Sequence, residues 1–262
     1  MEMRSFKAAV RHQLYALRGL PVAVIAMPLL ILILGVIVNI IDSGEISIKG
    51  IYLGGLDGAF GFVFYIFAAE AAKSFYNTAA ANGGSRKTAL LSSTASGFAL
   101  SLLTAAMFSL IIPFWAFITQ TQASYDAEHI YGSISETAVW GSGAAAVFMM
   151  LAVMTVRLFC AYMAGIFCGT LEYRMPKNHF IALVVLIVGP VTYTTILAEM
   201  DRNSIQARVL LAVVDVYDTI IGAGGDDPVR GILGYTGIAV VLGAISWPIV
   251  SRASVKPLPI KG

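Results

Sequence analysis

The chain has 262 residues, of which 58% are apolar types and only 12% are charged, with a mean hydropathy of +0.81. A soluble domain carries about 25% charged residues, so this composition excludes a disordered chain, a coiled coil and an ordinary water-soluble globule, and reads as an all-α integral membrane protein. The net charge of +2 says little, because in such a protein the placement of charge matters more than its sum.

In chain order, residues 4–18 form the first predicted element. On a helical wheel Arg4, Lys7, Arg11 and Arg18 share one stripe, and Phe6, Val10, Leu14 and Leu17 line the adjacent face. That pattern is an amphipathic helix with its basic side chains toward anionic headgroups; a bare positive-inside anchor is the alternative. A run of about 20 apolar residues crosses a bilayer. Such runs lie at about 20–41, 52–72, 90–119, 139–171, 181–198 and 231–250, which predicts six transmembrane helices in one domain over 1–262. The first run is longer than the apolar core of a signal peptide and reads as an uncleaved span. Continuous apolar runs exclude an alternating membrane β-barrel. Ser204 to Ile221 could be a seventh span, but Arg208, Asp215 and Asp218 would each cost about 2.5–3.5 kcal/mol near a bilayer centre. A helix lying at the outer surface between the fifth and sixth spans fits better.

Six spans with the N-terminus inside place twelve Lys and Arg in inner segments and four in outer ones, with Arg157 inside the fourth span. Both termini are therefore expected in the cytoplasm of a multi-pass plasma-membrane protein. Cys160 and Cys168 lie eight residues apart in one apolar stretch, about 12 Å along a helix, too far to bridge; packing is the expected role. His12, His129 and His179 fall at no zinc spacing, and no metal site or catalytic residue is expected.

The inner loop between the second and third spans contains Asn82-Gly83-Gly84-Ser85-Arg86-Lys87-Thr88. Ser85 is a natural N-cap for a following helix. A phosphate-binding loop would need glycine where Arg86 stands, so ATP binding in this chain is rejected. The stretch resembles the N-G-x-S-R-[KR] sequence found after the second span in bacterial ABC exporter permeases of the type-2 membrane family. The resemblance extends to the amphipathic helix, the six spans, the short basic loop Tyr173 to His179 with Arg174 and Lys177, and the long outer segment. It implies that the N-terminal helix connects to an ABC ATPase subunit and that Asn82 to Lys87 form a coupling helix docking on it. It further implies that a second permease, the same or homologous, completes the transporter, with ATP and Mg held only in the ATPase partner. A solvated, topology-fixing turn is the alternative for this loop. Besides membrane lipid no other partner is expected, and no nucleic acid.

Glu70 and Arg157 each lie eighteen residues past the outer start of their spans, about 27 Å down. They are expected either to form an interhelical pair or to snorkel separately to the inner headgroups. Pro28, Pro113, Pro190 and Pro248 lie in spans, as hinges or as ordinary membrane-helix prolines. Gly54 and Gly58 at G-x-x-x-G spacing predict close packing by the second span. The expected activity is ATP-driven export of an amphipathic, peptide, drug or lipid substrate, without an ATPase site in this chain. An ion-coupled secondary transporter or channel is the alternative; it would use several buried carboxylates, and only Glu70 and Asp57 qualify. A membrane-embedded enzyme would need a cluster of catalytic side chains, which the sequence lacks.

Overall fold

A computed structural model describes residues 10–11, 13–14, 19–43, 56–81, 85–119, 144–176 and 228–251, with isolated positions at 179, 181, 208 and 212. Among the described residues there are five long helices and no strand: α1 (Gly19–Ser43), α2 (Leu56–Ala81), α3 (Arg86–Thr119), α4 (Ala144–Arg174) and α5 (Pro228–Ser251). They coincide with five of the six expected apolar runs. The run at 181–198, the segment from Ser204 to Ile221, most of 4–18, and Asn82, Gly83, Gly84 and Lys177 lie outside the described residues.

Three stretches, Arg86–Ile111, Phe148–Arg174 and Val229–Ser251, are long and apolar enough to cross a membrane. Their 26, 27 and 23 residues span roughly 35–40 Å at 1.5 Å per residue, more than the ~30 Å hydrocarbon layer. Many hydroxyl side chains within them are satisfied locally, although Ser101 and Thr104 are buried without a hydrogen-bond partner. Thr94, Ser96, Ser109, Thr155, Thr170 and Ser246 each donate to the carbonyl four residues back, which removes the cost of an unpaired polar group where water is absent. The helix ends have local causes too. Pro228 opens α5, where a missing N–H costs nothing. Pro176 follows α4, and Arg174 sits in its last turn against the negative end of the helix dipole.

α4 is the centre of the bundle. One face meets α2 through small residues: Gly61 against Ala161, Gly165 against the Tyr65 carbonyl and Ala68, and Gly169 against the Ala69 carbonyl and Ala72. A Cβ at Gly165 or Gly169 would collide with backbone, so only glycine permits this approach. Gly165 and Gly169 thus form a close-packed pair at G-x-x-x-G spacing on α4; the packing expected of Gly54 and Gly58 lies outside what is described. A second face meets α3, where the Tyr162 ring fills the space left by Gly97 and Phe98 meets Phe159 edge-on at 5.5 Å. A third meets α5, where Gly243 faces Met163. These contacts make α2, α4 and α5 run in one direction and α3 in the other.

Phe60, Phe64, Phe108, Met154, Leu158 and Tyr162 fill the core. Outside it, α1 touches the bundle through Leu32 and Val36 while Leu29, Leu30, Ile33, Leu34, Ile37 and Val38 are exposed. On α5, Leu233, Val240, Val241 and Ile245 are likewise exposed. Contiguous apolar surface of this kind is unfavourable in water and suits an acyl-chain solvent.

Candidate functional site

The polar chemistry of the described residues gathers at the bundle end where α3 starts. Ser85 caps that helix. Its Oγ accepts the Thr88 N–H at 3.1 Å and lies 3.0 Å from the Thr88 hydroxyl, while its carbonyl accepts the Ala89 N–H at 3.1 Å. The expected N-cap is therefore present, and it fixes where Arg86 and Lys87 emerge. The Arg86 guanidinium lies over the Tyr173 ring of α4, 5.8 Å from its centroid. The Lys87 ammonium lies over the Trp247 ring of α5 at 5.5 Å. Each such contact contributes about 0.5–2 kcal/mol, more as it is desolvated. Two cations expected to face a partner thus also grip two other helices of their own chain.

Tyr173 in turn meets Tyr76 of α2, ring centroids 5.5 Å apart and planes at 60°. The Thr170 hydroxyl spends its hydrogen on the Ile166 carbonyl at 2.7 Å, so across the 2.8 Å contact between Tyr76 and Thr170 the tyrosine O–H donates. Both groups are buried. Beside them Lys73 and Glu172 form a half-exposed ion pair, worth ~0–1 kcal/mol at such a site. Tyr76, Tyr173 and Arg86 form a continuous chain of contacts across α2, α4 and α3, and Lys87, next to Arg86, links α3 to α5.

The N-terminal segment joins the same end. Gln13 is buried, and its amide donates to the Ala89 carbonyl of α3 at 3.2 Å. The Ser96 hydroxyl shares its single hydrogen between the Ser92 carbonyl at 2.8 Å and Gln13 Oε1 at 3.2 Å. Val10 and Leu14 are half-buried and Arg11 is exposed, so the apolar side of this segment rests on the bundle. Gln13 was not singled out from the sequence. It lies about 60° from Val10 on the wheel, on the apolar face, and a lone glutamine on such a face is the signal that was available. One helical turn past Ala89, Ser93 and Tyr162 share a buried hydrogen bond of 2.9 Å.

The structure does not bring Glu70 and Arg157 together. Glu70 is exposed and follows Ala69, whose carbonyl abuts Gly169. Arg157 is twelve residues before Gly169 on α4, about 18 Å away along the axis, beyond the combined reach of the two side chains. Of the two alternatives expected, the interhelical pair does not fit this separation, because it counts both depths from the span starts. The glycine contacts set the offset between α2 and α4, and the ion pair at the level of Glu70 is Lys73–Glu172. Arg174 is exposed at the end of α4, one residue from Tyr173 and so on the rim of that chain of contacts. Among the described residues no group of three His, Cys, Asp or Glu side chains could hold a metal ion.

Compared with known proteins, the chain matches no family model, no curated protein and no solved structure.

Proposed function

We propose that this chain is the transmembrane permease subunit of an ABC transporter that exports an amphipathic, peptide, drug or lipid substrate, with ATP hydrolysed in a separate nucleotide-binding subunit. The observation that carries this reading is the linkage of Ser85, Arg86 and Lys87 to three other helices at one end of the bundle. A coupling element must deliver a push on a short loop to several spans at once. Here the Ser85 cap fixes the start of α3, Arg86 passes displacement to Tyr173 and Tyr76, and Lys87 passes it to Trp247. Because Gly165 and Gly169 lock α4 onto α2, those two helices respond as one body. Gln13 adds the N-terminal helix to the same assembly, as the resemblance to type-2 exporter permeases implies.

The six-span topology is part of this reading. α4 leaves the bundle at the Ser85 end, since Tyr173 lies beneath Arg86. α5 finishes at that end, since Trp247 lies beneath Lys87, so Pro228 starts it at the other. In this reading an odd number of crossings joins them. That supports a crossing at 181–198 and speaks against a second one at Ser204 to Ile221. With the twelve-to-four basic bias, the Ser85 end is cytoplasmic and both termini lie there.

Affinity purification of the chain from its native membrane in mild detergent tests the reading. An ATPase subunit bearing a phosphate-binding loop is expected to copurify in stoichiometric amount. Transport by the chain alone, driven by an ion gradient and indifferent to ATP, would replace this reading with the ion-coupled one.

A further inference from the structure

α3 carries its hydroxyl groups in two ways. Thr94, Ser96 and Ser109 each donate to the carbonyl four residues back, and Ser93 meets the Tyr162 hydroxyl of α4. Ser101 and Thr104 do neither: they are 0% and 1% exposed, and their side-chain oxygens have no hydrogen-bond partner. Their place on the helix follows from Gly97, whose open side is filled by the Tyr162 ring. Ser101 is four residues past Gly97 and Thr104 seven past, so both lie within about 40° of it, on the side toward α4. α4 runs the other way, and the same steps from Tyr162 lead to Leu158 and Thr155. Both are buried, Leu158 level with Ser101 and Thr155 level with Thr104. Ser101 and Thr104 lie roughly 22–27 Å along the helix from Arg86, inside the apolar stretch Arg86–Ile111.

We propose that Ser101, Thr104 and Thr155 hold a water molecule between α3 and α4 in the interior of the apolar layer. A buried hydroxyl without a partner is unfavourable where bulk water does not reach, and two on one side of one helix share a single remedy. The Thr155 hydroxyl donates to the Leu151 carbonyl at 2.6 Å, which leaves its oxygen free to accept. A water between the facing stripes accepts from Ser101 and Thr104 and donates to Thr155. That makes three hydrogen bonds, the usual complement of a buried water. Because all three hydroxyls are buried, the ligand is a molecule of this size and not a transported substrate. Nearer the Ser85 end, Ser93 and Tyr162 join α3 to α4 directly; the water makes the corresponding link two to three turns deeper. The inference rests on the α3–α4 contact and is independent of the permease reading.

Two measurements test it. In thermal unfolding of the detergent-purified protein, Ser101→Ala and Thr104→Val are each expected to lower the midpoint by a few degrees. The double variant is expected to lose little more than the worse single, because either change alone releases the shared water. A midpoint left unchanged or raised by either single would overturn the site, since removing a buried hydroxyl that has no partner is neutral or stabilising. Losses in the double variant equal to the sum of the singles would overturn it too. Should the variants fail to accumulate, millisecond X-ray radiolysis of the unaltered protein reads the water itself, because radicals formed from a bound water oxidise the side chains beside it. Leu158, only 1% exposed, is expected to gain oxygen, detected by mass spectrometry of its peptide. Leu158 left unmodified at doses that oxidise the exposed His179 would overturn the proposal.

Discussion

The Arg86 guanidinium of α3 lies over the Tyr173 ring of α4, 5.8 Å from its centroid, on the far side of a contact that joins Tyr173 to Tyr76 of α2. A residue expected from sequence to face outward to a partner is therefore also an internal connector. Arg86→Lys keeps the charge but loses the flat face that stacks on a ring, whereas Tyr173→Leu removes the ring itself. Both are expected to destabilise the protein by about 0.5–2 kcal/mol, and with Tyr173→Leu in place the further change Arg86→Lys should cost almost nothing. A double-mutant cycle on thermal unfolding measures this; additive effects would show that the two side chains are independent.

The helix cap gives a second expectation. Ser85→Ala removes the acceptor of the Thr88 N–H and should cost about 1 kcal/mol, while Ser85→Asp should be tolerated because aspartate caps as well and favours the helix dipole. Equal loss in both variants would mean that Ser85 acts through something other than its cap.

Glycine substitutions read the α2–α4 seam. Gly165→Ala places a methyl group against the Tyr65 carbonyl and Ala68, and Gly169→Ala places one against the Ala69 carbonyl and Ala72. Backbone has nowhere to move there, so each should destabilise by about 1–3 kcal/mol. Gly237→Ala in α5 meets nothing within 4 Å and should be neutral or stabilising by up to ~1 kcal/mol, as for any open helix position. Comparable effects at all three sites would contradict the packing described.

Topology has its own test. A cysteine at Ser133 should react with a membrane-impermeant thiol reagent added to intact cells, and one at Ser85 should react only after permeabilisation. Labelling of both from outside would invert or abolish the proposed orientation.

What the sequence made legible and what it did not have separate physical causes. The helices were legible because an apolar run of bilayer length has few other uses, and five of the six expected runs fall on α1 to α5. The Ser85 cap was legible because its chemistry is local, complete within four residues. Gln13 was missed because its partners, Ala89 and Ser96, are 76 and 83 residues away, and a wheel shows only which face a residue occupies. The pairing of Glu70 with Arg157, one of the two alternatives expected, does not fit for a related reason. Depth along a span follows from counting, but the offset between two helices is set by where their glycines meet. Gly165 and Gly169 stand at G-x-x-x-G spacing, a packing signal that was available, but spacing alone does not say which residues of another helix they meet.

The coupling loop carries the central claim, and one measurement addresses it most directly: the ATP hydrolysis and transport of the purified complex with Lys87→Glu and Arg86→Glu together, against the unaltered chain. On the proposed reading these two charges also meet the partner, so reversing them turns attraction into repulsion, about 1 kcal/mol per contact in water and more where desolvated. The account predicts that the double variant inserts and accumulates in the membrane but loses its ATPase on purification, or retains it with hydrolysis no longer linked to substrate movement. Full transport by the double variant, at the unaltered rate and without a requirement for ATP, would contradict it.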